Sequence, residues 1–142
     1  MTTTPWHFWI IVVIGVLWHL AGVFDYTAFQ FDWTPYTHLA TGRQIQFAES
    51  MPDWVDAGWA ISVWVGLAGM ILLGLGFALS PLILAISMIA TIVLAIWFSL
   101  FAEPTVFGLA GWSGLLLIWL VALLTVLLWL YARSMHKHGV ID

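Results

Sequence analysis

His19 is the side chain with the clearest capacity for chemistry, because it is an ionisable group deep within an apolar run. Ionisable residues inside a membrane segment are energetically costly and mark functional sites by default. A neutral imidazole in that position can relay protons, bind a polar solute or act as axial ligand to a tetrapyrrole. Helical spacing puts Gly15, Gly22 and Tyr26 on the same face as His19. The spacing therefore predicts that His19 faces the interior of a helix bundle.

A structural role for His19 is the alternative explanation. The ring would then be neutral and hydrogen-bonded to a neighbouring span, with Ser62 or Ser99 as the partner. A bis-histidine haem needs a second buried histidine, and His7 lies near the opposite end of the same run. We therefore expect no cofactor and no metal, with a tetrapyrrole at His19 as an alternative. The candidate polar site in the membrane consists of His19, Tyr26, Ser62 and Ser99.

A second candidate site is charged and lies between the first two apolar runs. The stretch from Asp25 to Asp56 holds five of the seven carboxylates, and Arg43 is its only strong base. Asp53 and Asp56, one turn apart at the start of a run, could bind a cation or shuttle protons together with Asp25. Acidic residues at a helix N-terminus also act simply as complements of the helix dipole, worth roughly 0.3–1 kcal/mol each. We expect Arg43 to pair with one of these carboxylates, and Glu103 to lie on the same side.

The composition defines the elements that must position these groups. The chain has 142 residues, of which 63% are hydrophobic and 7% charged, against roughly 25% charged in soluble domains. At roughly 20 residues per crossing, this length allows four transmembrane helices and no separate soluble domain. The absence of cysteine excludes disulfides and thiol chemistry. A net charge of −4 without basic clusters argues against a nucleic-acid partner.

Prolines predict where the helices begin, because proline is tolerated in the first helical turn and disfavours helix in the residue before it. Thr4-Pro5, Thr34-Pro35 and Ser80-Pro81 each pair an N-cap residue with proline, and Ser50 and Asp53 have the spacing of a capping box. The predicted spans are about residues 5–24, 52–78, 81–102 and 104–134, with a short helix at about 35–50 between the first two.

The predicted fold is an all-α membrane protein, residues 1–142, built as an antiparallel bundle of four transmembrane helices with a short extracytoplasmic helix. Small residues favour close helix packing, and they could also line a narrow polar path. The packing positions are Gly15, Gly22, Gly58, Gly66 and Gly69. Arg133 and Lys137 follow the last span, so the positive-inside rule places both termini in the cytoplasm.

Several motifs resemble a family of small bacterial four-span inner-membrane proteins, often labelled "sugar transporter" or uncharacterised. The motifs that carry the resemblance are Trp18-x-x-x-Gly22-Val23-Phe24-Asp25, Gln44-x-x-x-x-Glu49-Ser50-Met51-Pro52-x-Trp54, Trp59-Ala60-Ile61-x-Val63-Trp64-x-Gly66-x-x-Gly69 and Tyr131-Ala132-Arg133. The resemblance implies a multi-pass protein of the bacterial inner membrane, and it brings no defined mechanism. Leu79-Ser80-Pro81 departs from the family pattern, which has Lys or Arg in that turn.

The sequence shows no catalytic motif, so we expect a non-enzymatic protein. The first hypothesis is an accessory or structural subunit of a membrane complex. The alternative is a small-solute transporter, with a sugar as one possible solute, that acts as an oligomer because four spans are few for a carrier. A third hypothesis is a pigment- or haem-associated subunit that uses His19. The expected partners are the lipid bilayer and either further copies or a larger membrane complex.

Overall fold

The computed structural model describes residues 3–142, and this part of the chain contains helices and no strands. The helices are α1 (Trp6–Gln30), α2 (Thr34–Thr37), α3 (Gly42–Glu49), α4 (Asp53–Ala60), α5 (Gly66–Gly74), α6 (Ser80–Leu100) and α7 (Val106–Lys137). A π-helical turn, Ile61–Val65, joins α4 to α5. Four segments are long and apolar enough to cross a membrane: Trp6–Gln30, Asp53–Gly74, Ser80–Leu100 and Val106–Lys137. The all-α class and the four apolar spans are thereby confirmed, and they indicate a multi-pass membrane protein.

Two predicted boundaries differ from the observed ones by several residues. The first span was expected to end near residue 24, but α1 continues to Gln30 and stops where Asp32 adopts a φ of +47°. The second was expected to reach residue 78, but α5 ends at Gly74 and a turn with Gly76 at φ +82° follows. In both cases the helix ends at a left-handed residue, which apolar runs do not reveal.

The fourth span also differs from its prediction, since it runs from Val106 to Lys137. Thr105 caps this helix, and its side chain accepts a hydrogen bond from the Gly108 N–H. Gly111 interrupts it with φ 66° and ψ −154°, a backbone conformation that is essentially restricted to glycine. The first turn of α7 therefore points in a different direction from the rest of the helix.

The residues between the first two spans form two short helices where one was predicted. We call residues 31–52 the cap segment; α2 and α3 lie within it and are separated at 38–41. The predicted capping box from Ser50 to Asp53 does not form, because the Ser50 hydroxyl donates to Phe47 O and Pro52 is the N-cap of α4. Thr41 and Gln44 form a capping box instead, at the start of α3.

Replacing Thr41 with alanine is expected to destabilise α3 by about 1 kcal/mol, because the Gln44 N–H loses the Thr41 hydroxyl that accepts its hydrogen bond. Amide hydrogen exchange of residues 42–49 should then accelerate by roughly fivefold. Ser50→Ala is the matched control, since its hydroxyl bonds only to the carbonyl of Phe47. Equal acceleration in both variants would contradict this assignment of the cap.

The four spans pack in the order α1, α4–α5, α6 and α7, so that α1 and α7 form the two edges of the row. These two helices meet at one end, where His7 Nδ1 and the Tyr131 hydroxyl share a 2.7 Å hydrogen bond. The hydrophobic core lies at this same end and consists of Phe8, Val12, Met70, Leu73, Leu84, Ala132, Met135 and Ile141. We call it the tail end, because residues 139–142 fold back there and bury Ile141.

The last residue is held in place by the turn that follows α5. The N–H of Ala78 donates to Asp142 O at 2.8 Å, and the N–H of Asp142 donates to Gly76 O at 2.9 Å. The opposite end of the row carries the cap segment and is called the cap end. With the core at the tail end, the helices at the cap end are left to enclose a cavity.

Candidate functional site

A cavity of about 620 Å³ lies at the cap end, between α1, the π-helical turn, α6 and α7, with the cap segment as its roof. Its wall is mostly apolar, and its aromatic side chains include Trp18, Trp59 and Phe98. The polar side chains that reach the wall are His19, Asp25, Tyr36, Gln44, Ser62, Thr91 and Thr125. Ligand sites in proteins are typically apolar cavities with a few well-placed polar groups, which makes this cavity the candidate site.

His19 is buried in the cavity wall and leaves one ring nitrogen without a partner. Its Nδ1 donates to the Gly15 carbonyl on its own helix at 2.8 Å, so Nδ1 carries the proton. In the neutral ring Nε2 is then a hydrogen-bond acceptor, and it is buried with no partner. The predicted bond to Ser62 or Ser99 is not formed. Buried polar groups are nearly always hydrogen-bonded, so this nitrogen calls for an explanation.

Gly66 makes room for the imidazole. A Cβ built on Gly66 would lie 2.2 Å from His19 Nε2, 2.2 Å from its Cδ2 and 2.6 Å from Ser87 Oγ. The ring edge and the Ser87 hydroxyl therefore meet over the bare backbone of the second span. Close packing was the sequence-based explanation for Gly66, and the structure adds that the group packed there is the candidate functional imidazole.

The π-helical turn lies beside this group of polar atoms. Ser87 Oγ donates to Ser62 O at 2.6 Å, and the Ser62 hydroxyl donates to Trp59 O at 2.7 Å. Thr91 continues the series on α6 and donates to Ser87 O at 2.8 Å. A π-turn within an α-helix changes which carbonyls are free, and such turns occur frequently at functional sites. The carbonyl of Ser62 in the π-helical turn thus accepts a hydrogen bond from Ser87 of α6, close to the His19 ring.

A hydrogen bond between Tyr36 and Asp25 fastens the cap segment to α1. The Tyr36 hydroxyl donates to Asp25 Oδ1 at 2.7 Å, and the tyrosine ring packs edge-on against Phe24. This hydrogen bond, together with partial burial and the carboxylate charge, raises the pKa of Tyr36 to about 12. Tyr36 is therefore a neutral donor at any physiological pH, and it holds the roof over the cavity.

Tyr36→Phe is expected to loosen the cap segment without disturbing the spans. A hydrogen bond to a charged group is worth roughly 1.5–3 kcal/mol when buried, and partial exposure reduces this to about 1 kcal/mol. Hydrogen exchange across residues 31–52 should accelerate about fivefold, while the α6 amides stay protected. Tyr26→Phe is the matched control, because the Tyr26 ring rests on Trp59 and its hydroxyl makes no hydrogen bond within residues 3–142.

The same bond predicts a pH dependence of cap closure at alkaline pH. The pKa of Tyr36 is higher in the folded chain, at about 12, than its ordinary value of 10.0. The stabilisation is therefore complete below about pH 10 and is lost as the pH rises through 12. Protection of the cap-segment amides, measured relative to their intrinsic exchange rate at each pH, should fall over this window in the wild type, and an equal fall in Tyr36→Phe would contradict the assignment.

The charged residues that sequence reasoning grouped together are divided by the cap segment. Asp25 lies in the wall of the 620 Å³ cavity, whereas Asp53 and Asp56 line a second space of about 340 Å³. Arg43 is exposed on α3 and makes no ion pair or hydrogen bond within residues 3–142, so the expected pairing is not formed. Glu103 is exposed in the loop before α7. Tyr36, and not Arg43, thus joins the cap segment to a carboxylate of the first span.

Two members of the predicted polar site lie outside the cavity. Tyr26 packs edge-on against Trp59, with ring centroids 5.2 Å apart. The Ser99 hydroxyl donates to Ala95 O at 2.6 Å and accepts a hydrogen bond from Trp119 Nε1 at 3.1 Å. His19 and Ser62 are the two predicted residues that the structure brings together.

The sequence favours a packing role for Ser87 and Thr91, with the lining of a narrow polar path as the alternative, and it does not single out Thr125. Ser87 and Thr91 belong to a stripe with four-residue spacing on α6, which was the available signal. Thr125 carries no such signal, since it stands alone in an apolar run.

The remaining packing glycines contact side chains of neighbouring helices. A Cβ on Gly15 would meet the end of Met70 at 2.3 Å, and one on Gly22 would meet Val63 at 2.8 Å. Gly58 faces Leu94, and a Cβ on Gly69 would lie 2.8 Å from Leu84. These contacts allow α1 and α6 to approach the second span from its two sides.

His19 does not fit the geometry of a tetrapyrrole ligand. Metal–imidazole bonds are roughly 2 Å long, as in zinc sites, and need an open approach along the nitrogen lone pair. Here Nε2 is closed off by the backbone of Gly66 and by Ser87. Within residues 3–142 no three His, Asp or Glu side chains are grouped so that they could hold a metal ion.

Comparison of the chain with protein-family models, with curated proteins and with solved structures finds no match in any of the three. The resemblance to small bacterial four-span proteins therefore stays a prediction, and the functional argument rests on the cavity.

Proposed function

We propose that this chain is a non-enzymatic membrane subunit that binds a small, neutral, hydroxylated ligand in the cavity beneath the cap segment. The observation that carries the proposal is the buried, unpartnered Nε2 of His19 in the cavity wall. An unsatisfied buried acceptor costs roughly 1–3 kcal/mol, and a ligand hydroxyl that donates to it recovers this free energy on binding. In the structure the Nε2 edge of the ring faces the backbone of Gly66, so this hydrogen bond requires the imidazole to turn toward the cavity when the ligand binds.

The polar groups near the cap define the ligand's charge and hydrogen-bonding capacity. Asp25 Oδ1 is occupied by Tyr36, which leaves Oδ2 to accept from a ligand hydroxyl. The Gln44 oxygen accepts from the Thr41 N–H, which leaves the amide NH₂ to donate. Hydroxyl groups both donate and accept, so they match this set. An anionic ligand is disfavoured, because the wall carries a carboxylate and no lysine or arginine.

The arrangement favours holding a ligand over conducting it. The tail end is filled by the hydrophobic core, in which Met70 and Leu73 are fully buried. A transporter would have to open this core at every cycle. An oligomeric small-solute transporter is therefore the second proposal. Measured uptake of a solute into proteoliposomes would favour it over a protein that only binds the ligand.

Orientation and assembly are part of the same proposal. We place an antiparallel bundle in a bacterial inner membrane, with the cap segment extracytoplasmic and both termini cytoplasmic. The support is positive charge at the tail end, where Arg133 stacks on Trp129 and Lys137 ends α7. Further copies or a larger complex are the proposed partners besides lipid.

Equilibrium dialysis of the purified protein in lipid nanodiscs tests the proposed function. The probes are octyl glucoside, with a neutral hydroxylated head, and octyl sulfate, with an anionic head of the same chain length. We expect saturable binding of octyl glucoside and none of octyl sulfate. The variant His19→Leu should lose binding, while His7→Leu, on the same helix at the tail end, should keep it. Equal binding of both probes, or unchanged binding in His19→Leu, would refute the proposal.

A further inference from the structure

The cavity has a side opening between α1 and α7. These two helices are joined at the tail end by the hydrogen bond between His7 and Tyr131, they make few other contacts, and both line the cavity at the cap end. There the wall is formed by residues 18–25 of α1 on one side and by residues 106–125 of α7 on the other. In the described residues 3–142 the other two spans lie between α1 and α7 in the packing order, so the side opposite them is the open side of the row.

The rims of the gap reach the surface that faces the bilayer. Ala21 of α1 lines the cavity and is also exposed. Leu117 of α7 lines the cavity with 59% of its surface exposed. A side chain that is part of the wall and open to the outside marks the mouth of a cavity. Both rim residues lie within membrane-spanning helices, so this mouth opens toward hydrocarbon.

The roof of the cavity is closed by the cap segment, whereas its side between α1 and α7 is open. The bond from Tyr36 to Asp25 fastens the roof to α1, and Phe47 of α3 contacts Phe98 of α6 with ring centroids 5.9 Å apart. A water-soluble ligand would have to displace this roof to enter. A ligand that is dissolved in the bilayer can enter between α1 and α7 with the roof in place.

We infer that the ligand is a lipid with a neutral hydroxylated head, which enters from the bilayer through the gap between α1 and α7. This inference rests on the proposed function and adds the class of the ligand. Asp25 and His19 are six residues apart on α1, roughly 9 Å along the helix axis, which a sugar or glycerol head can span. The hydrocarbon chain then lies in the gap, against Ala21 and Leu117, and continues into the membrane.

Access to a single thiol inside the cavity tests the route. The chain contains no cysteine, and Thr125→Cys is a nearly isosteric change at a buried wall position. In proteoliposomes we expect this thiol to react with an alkyl-chain maleimide dissolved in the bilayer. It should react at least tenfold more slowly with a charged, water-soluble maleimide, which has the same reactive group. The opposite order of rates would overturn lateral entry.

Matched variants separate the gap from the general lipid surface. Ala21→Trp in the Thr125→Cys background should narrow the mouth and slow the alkyl maleimide about tenfold. Leu123→Cys, which is 52% exposed and outside the cavity wall, should react at the same rate with and without Ala21→Trp. Slowing at both thiols, or at neither, would contradict entry between α1 and α7.

A comparison of two probes distinguishes failure of this inference from failure of the proposed function. Octyl glucoside should compete with the alkyl maleimide for the cavity and protect Thr125→Cys, whereas free glucose at the same concentration should not. Protection by both compounds would support the proposal of a hydroxylated ligand but contradict the inference that this ligand is a lipid. Protection by neither would refute the binding site itself.

Discussion

Gly66→Ala is expected to be the most damaging single-methyl substitution in the chain. Its Cβ would lie 2.2 Å from two atoms of the His19 ring and 2.6 Å from Ser87 Oγ, far inside van der Waals contact. Overpacking of an interior costs typically 1–3 kcal/mol, and the buried ring can escape the clash only by turning away from Gly66 into the cavity. We expect loss of stability of about 2 kcal/mol in a denaturant titration in detergent micelles, together with loss of octyl glucoside binding.

Two variants make this result specific. Gly42→Ala adds the same methyl group where no atom lies within 4 Å, and it should leave both stability and binding unchanged. His19→Ala combined with Gly66→Ala should recover most of the stability lost in Gly66→Ala, because the small side chain removes the clash. The coupling in this double-mutant cycle should exceed 1 kcal/mol, and additive effects would contradict the contact.

His19→Leu is expected to reduce ligand affinity by roughly 5- to 150-fold, which corresponds to the loss of a hydrogen bond worth about 1–3 kcal/mol at a buried acceptor. The unliganded protein should keep its stability to within about 1 kcal/mol or gain slightly. The reason is that the substitution removes a buried nitrogen that has no partner in the structure. Affinity for octyl glucoside and the denaturation midpoint are the two measurements.

The combination of these two readouts distinguishes binding from packing. If His19 only filled space, His19→Leu would lower the stability and leave affinity unchanged. His19→Gln returns a side-chain acceptor near the position of Nε2 and should restore part of the affinity, whereas the leucine variant cannot. Failure of the glutamine variant to bind better than the leucine variant would argue against a hydrogen bond at this position.

The cap segment shows why the sequence predicts the type of a local motif correctly but assigns it to the wrong residues. A capping box is present, but it forms at Thr41 and Gln44 and not at Ser50 and Asp53. Ser50 and Thr41 both stand where a capping residue would suit, and the choice between them depends on where the chain turns. The turn is set by contacts between distant residues, such as the bond of Tyr36 to Asp25. A tyrosine in a short helix gives no sequence signal of its partner, so the pairing is predicted for Arg43, the only strong base in the segment.

The sequence by itself determined the fold class and the number of apolar spans, and it drew attention to His19 as a candidate site residue. Long apolar runs must satisfy their backbone groups internally in lipid, which makes helices the available solution. His19 stands out because an ionisable group within such an apolar run costs free energy. These conclusions depend on composition and on contacts close in sequence, and they need no knowledge of how the helices meet.

Only the tertiary structure decided which polar groups meet and where the cavity lies. The rotation of each helix about its axis determines whether His19 faces Ser62, Ser99 or its own carbonyl, and a few tens of degrees change the answer. The structure directs Nδ1 to Gly15, leaves Nε2 unpartnered over Gly66 and places a cavity between α1 and α7 at the cap end. That cavity results from packing among all four spans and is encoded in no single stretch of sequence.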